Sequence, residues 1–189
     1  MNIFIVDECP IISAKSLCDI HINKMCIESA QMLSTAHRIL DGNFETRLSE
    51  KGRKLKYWSF TGDLENLLYK PVHINHPCTR WTILNSANYD WHYRHFIALC
   101  EEYTYRYDRV HLTQKKLEEI LSNPPKNIKN GELTQWPLAM KNNPECIFED
   151  DPVKSYRAYY QTKQHRFKMR WTKRQEPTWF KRERNLEDG

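Results

Sequence analysis

The stretch LCDIHINKMCIESAQMLSTAHRIL, Leu17 to Leu40, decides the fold. Its polar residues His21, Lys24, Glu28, Gln31 and Thr35 recur at intervals of 3, 4, 3 and 4. At about 100° per residue that spacing stacks all five on one helical stripe roughly 80° wide. Ile20 and Ile27 flank the stripe on one side and Met25 and Met32 on the other; Ile22, Cys26, Leu33, Ala36 and Leu40 continue round the back. A helix apolar nearly all round is a buried helix. Charges inside it must be paired or face a wet cavity, because an isolated buried ion costs several kcal/mol. Two readings follow. Lys24 and Glu28 form a structural i,i+4 pair on a half-exposed helix, or the stripe is the polar floor of an active site or ligand pocket.

The 189 residues suffice for a proper core in a single domain over 1–189. No apolar run approaches the ~18 residues that span a bilayer. The opening MNIFIVDECP lacks a basic n-region and carries two acids, so it does not read as a secretory signal. Six scattered cysteines with no CxxC suggest free thiols in a reducing cytoplasm.

Net charge is +5, but it is unevenly spread. From Pro152 to Arg184 eleven basic residues face only Glu176 and Glu183, giving that segment +9 and the remainder −4. Tyr156, Tyr159, Tyr160, Phe167, Trp171 and Trp179 interleave with the positive charge. Cations neutralise phosphates and aromatics stack on bases, so the segment suits nucleic acid. Arg157, Lys163, Lys168, Arg170, Lys173 and Arg174 are its candidate DNA contacts. The plainer reading is an amphipathic helix whose aromatics dock on the core.

Along the chain, Asn2 to Val6 is a β-branched run, a single short strand or an extended lead-in. Asp7, Pro10 and Ser13 are helix-start signals, and the main helix is expected to run to about Leu40, before Asp41-Gly42. Residues 43–70 read as polar and mixed, with an exposed loop at 50–54 and a short helix from Asp63 to Tyr69. Further helices are expected over Cys78–Tyr107, His111–Leu121 and Pro152–Trp171, with loop-rich sequence over 122–152. The fold class is mostly α.

Asn75-His76-Pro77 precedes the second long helix, where free N–H groups and the positive dipole end favour a phosphate. Asn75, His76, Arg80 and Trp81 are therefore candidate substrate contacts, with His21 and Gln31 on the first helix. His21-x2-Lys24-x3-Glu28 matches no metal signature, and no metal or cofactor is expected. Neither a nucleophile elbow nor a Gly-rich phosphate loop is present.

Several of these motifs occur together in a known family. Leu17-x-Asp19-x4-Lys24-x3-Glu28-x2-Gln31-x-Leu33, Asn75-His76-Pro77-x3-Trp81, Cys100 and Pro177-x-Trp179 resemble the phage and bacterial pyrimidine-dimer DNA glycosylases of the endonuclease V type. The resemblance implies a mostly helical domain that binds damaged or modified double-stranded DNA and cleaves an N-glycosidic bond. In the characterised phage member the amine of an N-terminal Thr, exposed by methionine removal, forms a Schiff base with the sugar, assisted by a Glu and several Arg. Here residue 2 is Asn, before which methionine is normally retained, and the carboxylate lies one turn later on the helix.

The expectation is a DNA N-glycosylase, with or without strand-cleaving lyase activity. Glu28 is the candidate carboxylate, and Lys24 its orienting partner or an attacking amine. His21 and Gln31 would hold a flipped base or a phosphate, and Trp81 would stack on the base. The alternatives are a non-catalytic nucleic-acid-binding phage factor and an enzyme of nucleotides or hypermodified bases.

Overall fold

A computed structural model describes residues 2–183; Met1 and Arg184 lie outside the described residues. The described residues form seven α-helices and one two-stranded sheet, a mostly α architecture. None of these helices is long and apolar enough to cross a membrane.

Asn2 to Val6 is the extended lead-in, buried but outside any sheet. Among the described residues it has no partner strand, and side chains satisfy much of its backbone. Asn2 Oδ1 accepts from the Phe4 N–H at 3.0 Å, and Ser13 Oγ accepts from the Val6 N–H and donates to the Phe4 carbonyl. Phe4 takes the left-handed φ of 55°, a strained value for an aromatic residue.

The expected first helix is two. α1 spans Pro10–Lys15 and α2 spans Asp19–Asp41. The break is held from the far end of the chain: the Asp19 N–H donates to the Arg170 carbonyl, and the Asp19 carboxylate takes Thr172 and Arg106. Burial of α2 is uneven. Its second half is enclosed, whereas Ile20, Asn23, Lys24 and Ile27 face outward, correcting the expectation of an apolar helix buried all round.

α2 ends at Gly42, where a Cβ would stand 2.6 Å from the Arg38 carbonyl. An antiparallel hairpin follows where mixed polar chain was expected, with β1 over Asn43–Leu48 and β2 over Lys54–Ser59. Arg38 holds its root. Fully buried, its guanidinium donates to the carbonyls of Trp58, Glu65, Leu68 and Tyr69 and to the Glu65 carboxylate. α3, Asp63–Leu67, supplies that carboxylate.

The second long helix is also split, into α4 (Pro77–Leu84) and α5 (Ser86–Tyr107). Asn85 adopts an extended conformation between them and its side chain accepts from the Asn88 N–H, restarting the helix as an N-cap. α6 covers Leu112–Ser122. α7 covers Pro152–Gln161, shorter than the expected Pro152–Trp171. The helical period continues in sequence, but Trp171 is drawn to the α1–α2 junction, where its indole donates to the Ser16 carbonyl. Core side chains come chiefly from the lead-in, α2, α4, α5 and α7.

Candidate active site

The polar stripe of α2 meets the N-terminus of α4 because Thr35 ties them together. Its hydroxyl donates to the Gln31 carbonyl at 2.7 Å and accepts from the Val72 N–H at 3.2 Å, laying the 70–76 segment along the helix. That segment ends in His76, whose Nδ1 accepts from the Cys78 N–H at 3.2 Å and caps α4. With Nδ1 so engaged, the neutral ring carries its proton on Nε2. Burial lowers the His76 pKa, and the Glu28 carboxylate opposes that shift.

Lys24 Nζ lies 3.3 Å from Glu28 Oε1; the Lys24 side chain is 55% exposed and that of Glu28 15%. The pair stands on an open flank of α2 beside the exposed Ile27. An open groove of about 610 Å³ begins at His76, and its walls include Asn75, Met140, Asn143, Tyr159 and Arg166. Tyr159 is fixed from behind, stacked against Phe4 at 6.0 Å between ring centroids, with Lys163 Nζ 3.6 Å from its ring centre. Polar amides, an aromatic wall and a basic rim in one groove can seat a planar heterocycle next to a phosphate.

Three of the expected contacts are corrected. His21 is buried: its Nδ1 lies 2.7 Å from the Tyr160 hydroxyl and its ring packs on Phe4, so it backs the site without reaching a ligand. Burial, then the Lys24 and Lys163 charges, hold its pKa down to about 3. Trp81 is only 5% exposed; its indole donates to the Thr134 carbonyl and its ring meets Trp91 edge-on, which leaves no free face for a base. Lys163 is buried beneath Tyr159 and is no surface phosphate contact. Gln31 is half-buried beside Thr35, and Arg80 is exposed one turn beyond His76.

The basic segment divides by role. Arg157 donates to the Val6 carbonyl and approaches Asp7, Lys173 pairs with Asp108 at 2.6 Å, and Arg174 grips both oxygens of Glu102. These hold the chain's end to the body. Arg166, Lys168 and Arg170 are exposed and, among the described residues, make no ion pair. Sequence reasoning did not single out Arg166 or Tyr159 as site residues, although both lie in the basic aromatic segment; the 138–143 wall carries no chemical signature at all. No family model, curated protein or solved structure matches the chain.

Proposed function

We propose that the chain is a DNA N-glycosylase acting on a damaged or modified base in duplex DNA. The observation that supports this best is the groove lined by Asn75, His76, Tyr159 and Arg166 at the N-terminus of α4, a helix that packs on α2, which carries the Lys24–Glu28 pair. The resemblance to pyrimidine-dimer glycosylases, carried by Lys24, Glu28 and Asn75-His76-Pro77, points the same way.

Breaking an N-glycosidic bond develops positive charge on the sugar. A carboxylate beside it stabilises that charge or orients a water for attack. In this reading Glu28 does so, and Lys24 positions it through their ion pair. The His76 Nε2–H donates to the departing base or its flanking phosphate. Asn75 and Asn143 offer amides to the edge of the extruded base, Tyr159 offers its ring, and Arg166, Lys168 and Arg170 take phosphates. Because Lys24 serves as the cation of an ion pair, the attack is assigned to water, and the enzyme is monofunctional.

Duplexes carrying ultraviolet photoproducts, uracil or hydroxymethylated bases, assayed for base release, test the proposal. One of them should be excised, and Glu28→Gln should reduce the single-turnover rate about 10²- to 10⁴-fold, the usual contribution of a positioned acid–base group, with duplex affinity retained. Release from none of them, or full activity in Glu28→Gln, refutes it. Borohydride trapping of an adduct that disappears in Lys24→Ala would replace water by the amine.

A further inference from the structure

The β1–β2 hairpin has no part in the proposed chemistry, yet it is built as an arm. An isolated two-stranded ribbon is marginally stable in water and needs an anchor. One face supplies it: Tyr57 donates to Glu65 at 2.6 Å, Arg47 lies 3.5 Å from the Tyr57 ring centre, and Arg38 fixes the root. Side chains alternate across a strand and directly paired residues share a face. The opposite face therefore carries the pairs Phe44–Trp58, Thr46–Lys56 and Leu48–Lys54. That face points to solvent, with Phe44 59% and Leu48 70% exposed. It bears two lysines and no acid, and in the turn Lys51 and Arg53 outnumber Glu50, leaving it net positive. Among the described residues, Lys51, Arg53, Lys54 and Lys56 make no ion pair.

The root of the arm is held by the same helix that carries Glu28. Arg38 continues the stripe of α2, three residues beyond Thr35 and ten beyond Glu28. At 1.5 Å per residue its position is about 15 Å along the helix axis from Glu28. A DNA strand rises about 3.4 Å per nucleotide, so the root lies roughly four to five base pairs from Glu28 along a duplex that follows the helix. The DNA major groove, about 12 Å wide, admits a two-stranded ribbon, whereas the deep, narrow major groove of duplex RNA does not.

We infer that the hairpin is a second duplex-DNA contact, its Phe44–Trp58/Lys54–Lys56 face entering the major groove and its root some four to five base pairs from the base beside Glu28. The placement relative to that base rests on the proposed function; the DNA contact itself does not.

The test uses the full chain and an undamaged fluorescent duplex titrated at several salt concentrations. Lys54→Gln/Lys56→Gln should weaken binding about tenfold at low salt and reduce the log–log salt slope by about 1.8, two phosphates at ~0.9 each. Phe44→Ala should weaken binding with the slope unchanged. Neither change should alter duplex-RNA binding. Both sites are exposed, and an unchanged melting temperature confirms that the variants fold. An unchanged DNA slope in the double variant overturns the inference. So does a loss of self-association instead (a second copy on this face), or a loss of binding to anionic vesicles instead (a lipid surface). Excision with normal hairpin-variant affinity sinks only this inference; a reduced slope without excision of any base sinks only the glycosylase.

Discussion

Acidification from pH 7.5 to 5.0 should destabilise this protein steeply, because four histidines are buried as neutral rings. Burial holds His21 and His95 down to about 3 and His37 down to about 4, and holds His92 well below its ordinary value. The His95 ring nitrogens have no hydrogen-bond partner among the described residues, and the ring stacks on Trp91 at 5.3 Å. In the unfolded chain each would titrate near 6.5. The folded pKa values are depressed, so above pH 6.5 both states are neutral at these positions and stability is fully retained. Below it the unfolded chain binds protons that the fold refuses, and stability is lost as pH falls toward the folded values.

At pH 5.0 the unfolded pKa lies 1.5 units above ambient, about 2 kcal/mol per group at ~1.36 kcal/mol per unit, and about 8 kcal/mol for the four. Paired carboxylates do not offset this. Glu65 is held at about 2, where burial raises its pKa but the hydrogen bonds from Tyr57 and Arg38 outweigh it; Glu102, with the same balance from Arg174 and Arg106, also lies below its ordinary value. Both stay ionised across the window. Against a typical total of about 5–15 kcal/mol, the fold should be marginal at pH 5. Scanning fluorimetry should show the melting temperature falling by roughly 15–30 °C from pH 7.5 to 5.0, at about 2–4 °C per kcal/mol for this size. His95→Phe, which keeps the stacked ring and removes the titration, should recover about 2 kcal/mol at pH 5. A melting temperature constant within a few degrees, or a His95→Phe profile parallel to wild type, would refute the reasoning.

Three further outcomes follow from the contacts. Arg38→Met removes the guanidinium that serves four carbonyls and the charge that pairs the Glu65 carboxylate, whose remaining hydrogen-bond donors, Tyr57 and Phe60, are neutral. It should cost about 3–5 kcal/mol, with amide exchange over 43–59 accelerating before the rest of the fold. Trp81→Ala should lower stability by about 3–5 kcal/mol yet leave duplex affinity unchanged where the protein is folded; a specific loss of affinity would restore Trp81 as a base contact. Replacing Arg166, Lys168 and Arg170 with Ala should reduce the DNA salt slope by about 2.7, whereas Lys163→Ala should lower the melting temperature and leave the slope alone.

Periodicity made α2 and α6 readable, because their apolar residues return every three or four positions regardless of what they pack on. It could not locate the interruptions. Asn85 breaks the second helix without a proline or glycine, since an Asn side chain caps a new helix as readily as it continues an old one. Trp171 has helical spacing from Tyr160 onward, but its place is set by a hydrogen bond to Ser16, 155 positions away, which no local pattern encodes. The hairpin escaped notice for a related reason. Its outward face mixes Phe44 and Leu48 with Thr46, Lys54 and Lys56, so the apolar–polar alternation that marks a half-buried strand is absent.

The site was legible where charge chemistry is local and illegible where it depends on burial. Lys24 and Glu28 pair at i,i+4, a relation fixed by the helix itself, and His76 follows from the proline after it. His21 occupies the same stripe as Lys24, one turn earlier, yet Phe4, Tyr160 and Phe167 close over it. The stripe therefore changes character along its length: sealed at His21, open at Lys24 and Glu28, sealed again at Thr35 and Arg38 by the segments they hold. Those sealed ends flank the Lys24–Glu28 pair on both sides. His21 braces the lead-in and the aromatic wall of the groove. Thr35 and Arg38 fasten the loop that delivers His76 and the root of the hairpin. The open middle needs no burial to be held in place, since both of its ends are bolted to neighbouring segments of the fold.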